Sequence, residues 1–314
     1  MKQLNKTTVG LEQDSQSIRA VRLSWGQNRQ EDCRIINAAE VRGKFKDESV
    51  LIEALKRIKE KMSISLTDKV VTCVSGKQTF AAQIAVRKVP DEEMKSMLKL
   101  EIRKIIPFEV SGATVDFHFL PTDPMRKSDT VPVVVSAVSS ILLNKHLRSF
   151  EKAGIKPFVV DVLPLAVANS FWALRKDKSE NEIYVVIHVG PETSTLVIDG
   201  DSSSFFNRSI YFNAYEIFGD QSEQTITPDL AARRMESFAD EIIKSISFYE
   251  ATYQSGKINS IYLLGNYAAH RLCDALCHRT GLNVVTLDTA QRLNQKKQIL
   301  PGKYELAAAL AMRA

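Results

Sequence analysis

No apolar run in this chain is long enough to cross a membrane, and the opening Met1-Lys-Gln-Leu-Asn-Lys6 lacks the apolar core of a secretory signal. Cysteine is scarce, 4 in 314 residues, which excludes a disulfide framework and makes a reducing cytoplasm the expected setting. Neither sign of charge dominates. The net is +5, and no basic stripe with interleaved aromatics offers itself to nucleic acid, so none is expected as a partner. What is present is the composition of a globular protein, with length for two domains that each bury a core.

The most informative stretch runs from Tyr184 to Asp199. An apolar β-branched run reaches Gly190, Thr193, Ser194 and Thr195 line a bend, and a second apolar run, Leu196 to Ile198, follows. This reads as two strands joined by a tight turn. Thr8 to Leu23 shows the same pattern, and overlaying the two sets Glu12 on His188, Asp14 on Gly190 and Ser17 on Thr193. Such turns can grip a phosphate through backbone N–H groups and hydroxyls. Two of them, one opening each half, suggest similar domains facing each other across a cleft. Two unrelated amphipathic hairpins are the alternative.

Further along, strands are expected over Cys33–Val41, Lys69–Ser75, Thr79–Val89 and Val115–Leu120, and a buried central-sheet strand over Val131–Val138. An amphipathic helix is expected over Ser49–Lys61. A second starts after Pro90, carries Met94, Met97, Leu98, Ile102 and Ile105, and is stopped by Pro107. Helices follow over Ile141–Ala153 and Leu165–Leu174, and the charged run Arg175–Glu182 marks the boundary between halves. The second half adds a strand over Ser204–Phe212, a polar linker over Gly219–Thr227, a long helix over Pro228–Gln254 and an Ala-rich terminal helix over Leu306–Arg313. In the helix Tyr267–Thr280, the run His270-Arg-Leu-Cys-Asp-Ala-Leu-Cys-His278 has a passing likeness to a metal site. His278 falls off the face shared by Cys273 and Cys277, and core packing beside Leu272 and Leu276 is expected instead.

Several of these segments, in order, resemble the type IV pilus assembly protein PilM family. They are Lys99-Leu-Glu-Ile-Arg-Lys-Ile-Ile-Pro-Phe-Glu109 with Val115-Asp-Phe117, Ala153-Gly-Ile155, Asp161-Val-Leu-Pro-Leu-Ala166, Glu241 to Tyr249, Ile261-Tyr-Leu-Leu-Gly265 and Leu306 to Arg313. The resemblance implies an α/β, actin-like (ribonuclease H-like) fold of two domains, over residues 1–174 and 183–314. It also implies an extra small subdomain of the FtsA and PilM type at about residues 75–122, and since the linker Gly219–Thr227 is too short for the helical lid of relatives, a reduced lid subdomain is expected in the second half.

By that resemblance the two hairpins are phosphate loops, yet Glu12 stands for the family's aspartate, Asp14 for its glycine, and His188 for its second aspartate. A carboxylate at Asp14 is expected to repel a triphosphate. Gly265 is kept, but Asn266 and Tyr267 replace further glycines and should crowd a nucleoside. Ser15, Ser17, Arg19, Gly190 and Thr193 are what remain, with Glu12, Asp14 and Gly265, of a degenerate nucleotide site. Hydrolysis is therefore not expected and no cofactor is expected, ATP with Mg²⁺ being the alternative. The resemblance further implies a cytoplasmic scaffold, peripheral at the inner membrane. It would bind the N-terminal peptide of a single-pass PilN-like protein and could self-associate in a layer beneath the pilus machine. Leu98, Ile102, Ile105, Ile106 and Phe108 are the candidates for that peptide's groove, filling the small subdomain's own core being the alternative.

Overall fold

The computed structural model describes residues 7–26, 33–45, 47–109, 112–120, 129–174, 183–200, 204–219, 226–253, 258–268, 270–287, 293 and 303–314. Its architecture is a duplication. In the first half β1 (Thr7–Gln13), β2 (Ser17–Trp25) and β3 (Cys33–Arg42) make an antiparallel meander, extended in parallel by β4 (Lys69–Val74) and β8 (Pro157–Val162). The second half repeats this with β9 (Ile183–Val189), β10 (Thr193–Gly200), β11 (Ser204–Tyr211), β12 (Ser260–Leu264) and β13 (Asn283–Thr286). The strand orders, β3-β2-β1-β4-β8 and β11-β10-β9-β12-β13, are the same order written twice. The hairpins correspond residue for residue, with Glu12 and His188 each one position before the end of its strand.

Helix α1 (Glu48–Met62) covers the first sheet, setting Leu55, Ile58 and Met62 against Val9, Leu11 and Ile18. Helices α6 (Pro228–Tyr253) and α7 (His270–Thr280) cover the second with Phe238, Ile242, Tyr249 and Leu272. Two further helices cross between halves. Helix α4 (Leu163–Leu174) leaves the first half and packs on β9 and β10, where Phe171 stacks on Tyr184 at 3.6 Å between ring centres. Helix α8 (Glu305–Met312) ends the second half and packs on β1 and β2. Its approach depends on small residues at both faces: a β-carbon on Gly10 would lie 1.9 Å from the Ala307 carbonyl oxygen. The exchanged helices give the halves one shared core.

Between β4 and β8 the chain inserts a third sheet of order β5-β7-β6, formed by β5 (Thr79–Arg87), β6 (Ala113–Phe119) and β7 (Thr130–Ser139). Helix α2 (Asp91–Ile105) lies on it and stops at Ile106, which is extended (ψ 129°) because the following proline disfavours helix. The strand at Val131–Val138 is thus not in a central sheet as expected. It is the middle of the inserted one. The misreading has a physical cause, since β7 is covered on both faces. Val133, Val135 and Ala137 pack beneath α2 while Val134 and Val138 join the core shared by the halves, and a two-sided apolar run looks alike in either sheet. On its open side β5 is tied to β11, with the Asn207 amide donating to the Ala81 carbonyl at 2.7 Å. The linker Gly219–Thr227 lies largely outside the described residues; Ala214–Phe218 before it forms the short helix α5.

Candidate functional site

The two hairpins bring their ends together at the boundary between halves. Glu12 Oε1 meets His188 Nε2 at 3.0 Å, between residues 176 apart, and the side chains are only 2% and 6% exposed. Arg19, on β2 opposite Glu12, donates from Nη2 to Glu12 Oε1 at 3.1 Å and also to Asp14 Oδ2. Burial pushes the Glu12 carboxyl up, but the Arg19 charge and the His188 hydrogen bond outweigh it and hold it below the usual range. An ionised Glu12 can only accept, so the His188 Nε2–H is the donor across the boundary.

Asp14 is folded back into its own turn. Its Oδ1 accepts the backbone N–H groups of Gln16 and Ser17, both at 2.7 Å, and its Oδ2 accepts the Ser17 hydroxyl at 3.1 Å. Those N–H groups are the donors that a phosphate-binding turn would present. The expected repulsion of a triphosphate by a free Asp14 charge therefore needs revising: the carboxylate fills the anion's place, and Arg19 balances its charge. Ser15 reaches across to the second loop instead, its hydroxyl 3.4 Å from Glu192 Oε1.

In the second loop a β-carbon on Gly190 would lie 2.6 Å from the Thr193 carbonyl oxygen, so glycine is needed for the bend itself. Thr193 is exposed at its rim. Gly265 has φ +102°, and a β-carbon there would lie 2.8 Å from the Val189 carbonyl oxygen and 3.2 Å from the His188 ring. It is closed against protein. Beyond it, Asn266 and Tyr267 line a cavity of about 330 Å³ with Gln16, Ser17, Glu40, Arg42, Lys44, Tyr215 and Phe218. Burial pushes the Tyr267 hydroxyl up to about 12. At the floor of this cleft, where the fold would imply ATP, two carboxylates and one arginine close on each other.

One residue at this junction was not foreseen. Glu305, the first residue of α8, is 1% exposed, and among the described residues neither carboxyl oxygen has a partner in full hydrogen-bond geometry, the backbone N–H groups of Glu305 and Gly265 being near enough only to offset its burial in part. Burial, with the Glu12 charge adding to it, pushes its pKa up to about 8. A lone acid opening an otherwise Ala/Leu helix was the only signal available.

The five apolar candidates on the small subdomain separate. Leu98, Ile102 and Ile106 are buried in its core beneath α2, Ile105 is 41% exposed, and Phe108 is half-buried at the core's edge. Of the five, only Ile105 is exposed, and Phe108 packs partly on the core. In α7, Cys273 joins Leu272 and Leu276 in the core as expected, but Cys277 lies at the surface.

Two five-stranded units of one topology, with terminal helices exchanged and hairpin loops meeting at a cleft, make this an actin-like α/β protein. It belongs to the type IV pilus assembly protein PilM family, which matches residues 10–229. Among solved structures it is similar to one described as a PilM-PilN type IV pilus biogenesis complex, at 19% identity and a TM-score of 0.78 over 98% of each chain. It is also similar to ethanolamine utilization protein EutJ from Carboxydothermus hydrogenoformans, at 10% identity and 0.55 over 99% of this chain and 91% of that one. A third likeness is the cytoplasmic domain of EpsL, an inner-membrane component of the Vibrio cholerae type II secretion system, at 14% and 0.50 over 98% and 96%. No curated protein matches the sequence.

Proposed function

We propose that this chain is a non-catalytic cytoplasmic scaffold of a type IV pilus or related secretion apparatus. It holds the cytoplasmic N-terminal peptide of a single-pass, PilN-like inner-membrane protein. The observation that carries the non-catalytic reading is the hydrogen bond from His188 to Glu12, with Asp14 folded onto the Gln16 and Ser17 N–H groups. An ATPase of this fold needs those positions to hold phosphate, metal and water. Here they hold each other, and the contact binds the two halves.

The partner reading is supported by family membership and by a PilM-PilN complex among the similar structures. In the small sheet β6 is an edge strand that itself carries Phe117 and Phe119, whose rings pack edge to face at 5.6 Å, and in the same subdomain Ile105 is exposed and Phe108 half-buried. An extended apolar peptide can add to such an edge and seat alternate side chains beside it. The second reading, a functional ATP-binding member of the fold, has one observation in its favour: the 330 Å³ cavity carries Arg42 and Lys44 beside Tyr215 and Tyr267. Steady-state turnover and calorimetry with Mg·ATP separate the two. We expect no turnover and weak or absent binding; micromolar affinity or measurable phosphate release would establish the second.

A further inference from the structure

We infer that the end of the first domain at which β4 and β8 begin is a docking surface for an anionic lipid bilayer. Two large apolar side chains are displayed there. Leu66 is 77% exposed and Phe158 57% exposed. Neither is a chance surface residue, because each has a rigid support.

Leu66 sits in the turn Ser65–Asp68, closed by the Asp68 N–H to the Ser65 carbonyl at 3.2 Å and by the Ser65 N–H to Asp68 Oδ2 at 2.7 Å. Arg22 clamps this turn from the sheet. It donates to Asp68 Oδ1 at 2.6 Å and Oδ2 at 3.1 Å, and to the Met62 and Ser63 carbonyls at 2.9 and 3.1 Å. Phe158 is the extra residue of a β-bulge: Val70 pairs with Pro157 and Val71 with Val159, leaving Phe158 between them on an edge strand. Bulges re-aim a side chain, and this one turns Phe158 outward with Lys69 Nζ 4.4 Å from its ring centre.

The collar around these tips is basic. Lys69 begins β4, Lys156 precedes β8, and Lys59 reaches Gly154 in the loop between, while Lys152 at the end of α3 (Ser140–Lys152) is paired with Glu48 at 2.8 Å. Glu60 and Glu151 lie in the same segments, while Asp68 is neutralised by Arg22. The nearby arginine is committed to the clamp, so the outward cations are lysines on flexible stems. Lysine point charges suit a fluid anionic surface, whereas an acidic peptide is better held by fixed arginine forks in a groove. Protruding apolar tips within a lysine collar match insertion at headgroup depth. The inference does not depend on the partner reading, although a membrane-anchored partner would strengthen the contact through effective concentration.

The test is co-sedimentation of the full chain with vesicles of phosphatidylglycerol and phosphatidylcholine in equal parts, and with phosphatidylcholine alone. We expect binding to the anionic vesicles only, weakening at least tenfold between about 50 and about 500 mM salt. Lys69→Glu with Lys156→Glu should weaken it about 25-fold or more, at roughly fivefold per lysine lost. Leu66→Ser with Phe158→Ser should lower it too, in protein whose melting curve remains cooperative. Tyr211→Ser, removing a side chain 77% exposed on the other half, should change nothing. Absence of wild-type binding at low salt, equal binding to neutral vesicles, or full binding by the folded variants would overturn the inference. Binding of a PilN-like peptide by the same variants, measured without lipid, should be unaltered, so failure here is distinguishable from failure of the partner reading.

Discussion

Glu12 and His188 occupy the same position in two copies of one hairpin, and they bond to each other at 3.0 Å across the boundary between the copies. Duplication places equivalent residues about a common axis, and here the equivalents have become complementary, one an ionised acid and the other a donor. In this chain the two hairpins are joined at that position.

His188→Ala should leave a buried carboxylate held by Arg19 alone, costing about 1–3 kcal/mol. The melting temperature should fall by several degrees, and amide exchange should quicken at the ends of β1 and β9. A double-mutant cycle with Glu12→Gln should show a coupling of about 0.5 kcal/mol or more. Additive losses would mean that the contact does not bind the halves.

Asp14→Gly removes the carboxylate that occupies the Gln16 and Ser17 N–H groups. Affinity for Mg·ATP, measured by calorimetry, should rise at least tenfold, about 1.4 kcal/mol. Turnover should stay absent because His188 remains. Unchanged affinity would show that the turn is not what bars the nucleotide.

Glu305 makes stability pH-dependent in a direction opposite to most carboxylates. Its folded pKa, about 8, lies above its ordinary value of 4.5, so between those values the unfolded chain releases a proton that the folded chain keeps. Stability from this group is present in full below about pH 4.5, falls by up to about 1.4 kcal/mol per pH unit, and levels off above about pH 8. Glu12, held below its usual range, acts the other way and loses its contribution as pH falls through that lowered pKa. Glu305→Gln should flatten the decline between pH 5 and 8 in chemical denaturation. A slope equal to wild type would place the titration elsewhere.

Local patterns carried much of this structure in the sequence. The hairpins were legible because β-branched runs break at Gly190 and at the Asp14–Gln16 turn, and α2 was bounded by Pro90 and Pro107. Burial direction was not. Leu98, Ile102 and Ile106 form an apolar helix face whether it meets a partner or its own sheet, and only β7 lying beneath α2 decides the matter. The pairing of Glu12 with His188 spans 176 residues, so no window could reveal it, although overlaying the hairpins had already put the two at one position. Glu305 was invisible for a related reason: its burial follows from α8 crossing onto β1 of the other half.

Under the proposed function, this chain holds a partner's peptide on its first domain and small subdomain. Hydrogen exchange on the chain, with and without the N-terminal peptide of a PilN-like protein, tests this most directly. Protection is predicted in residues 79–120 and the adjoining first half, and Ile105→Glu with Phe108→Glu should weaken it at least tenfold while circular dichroism stays native. Protection confined to residues 183–314, or none at saturating peptide, would contradict the account.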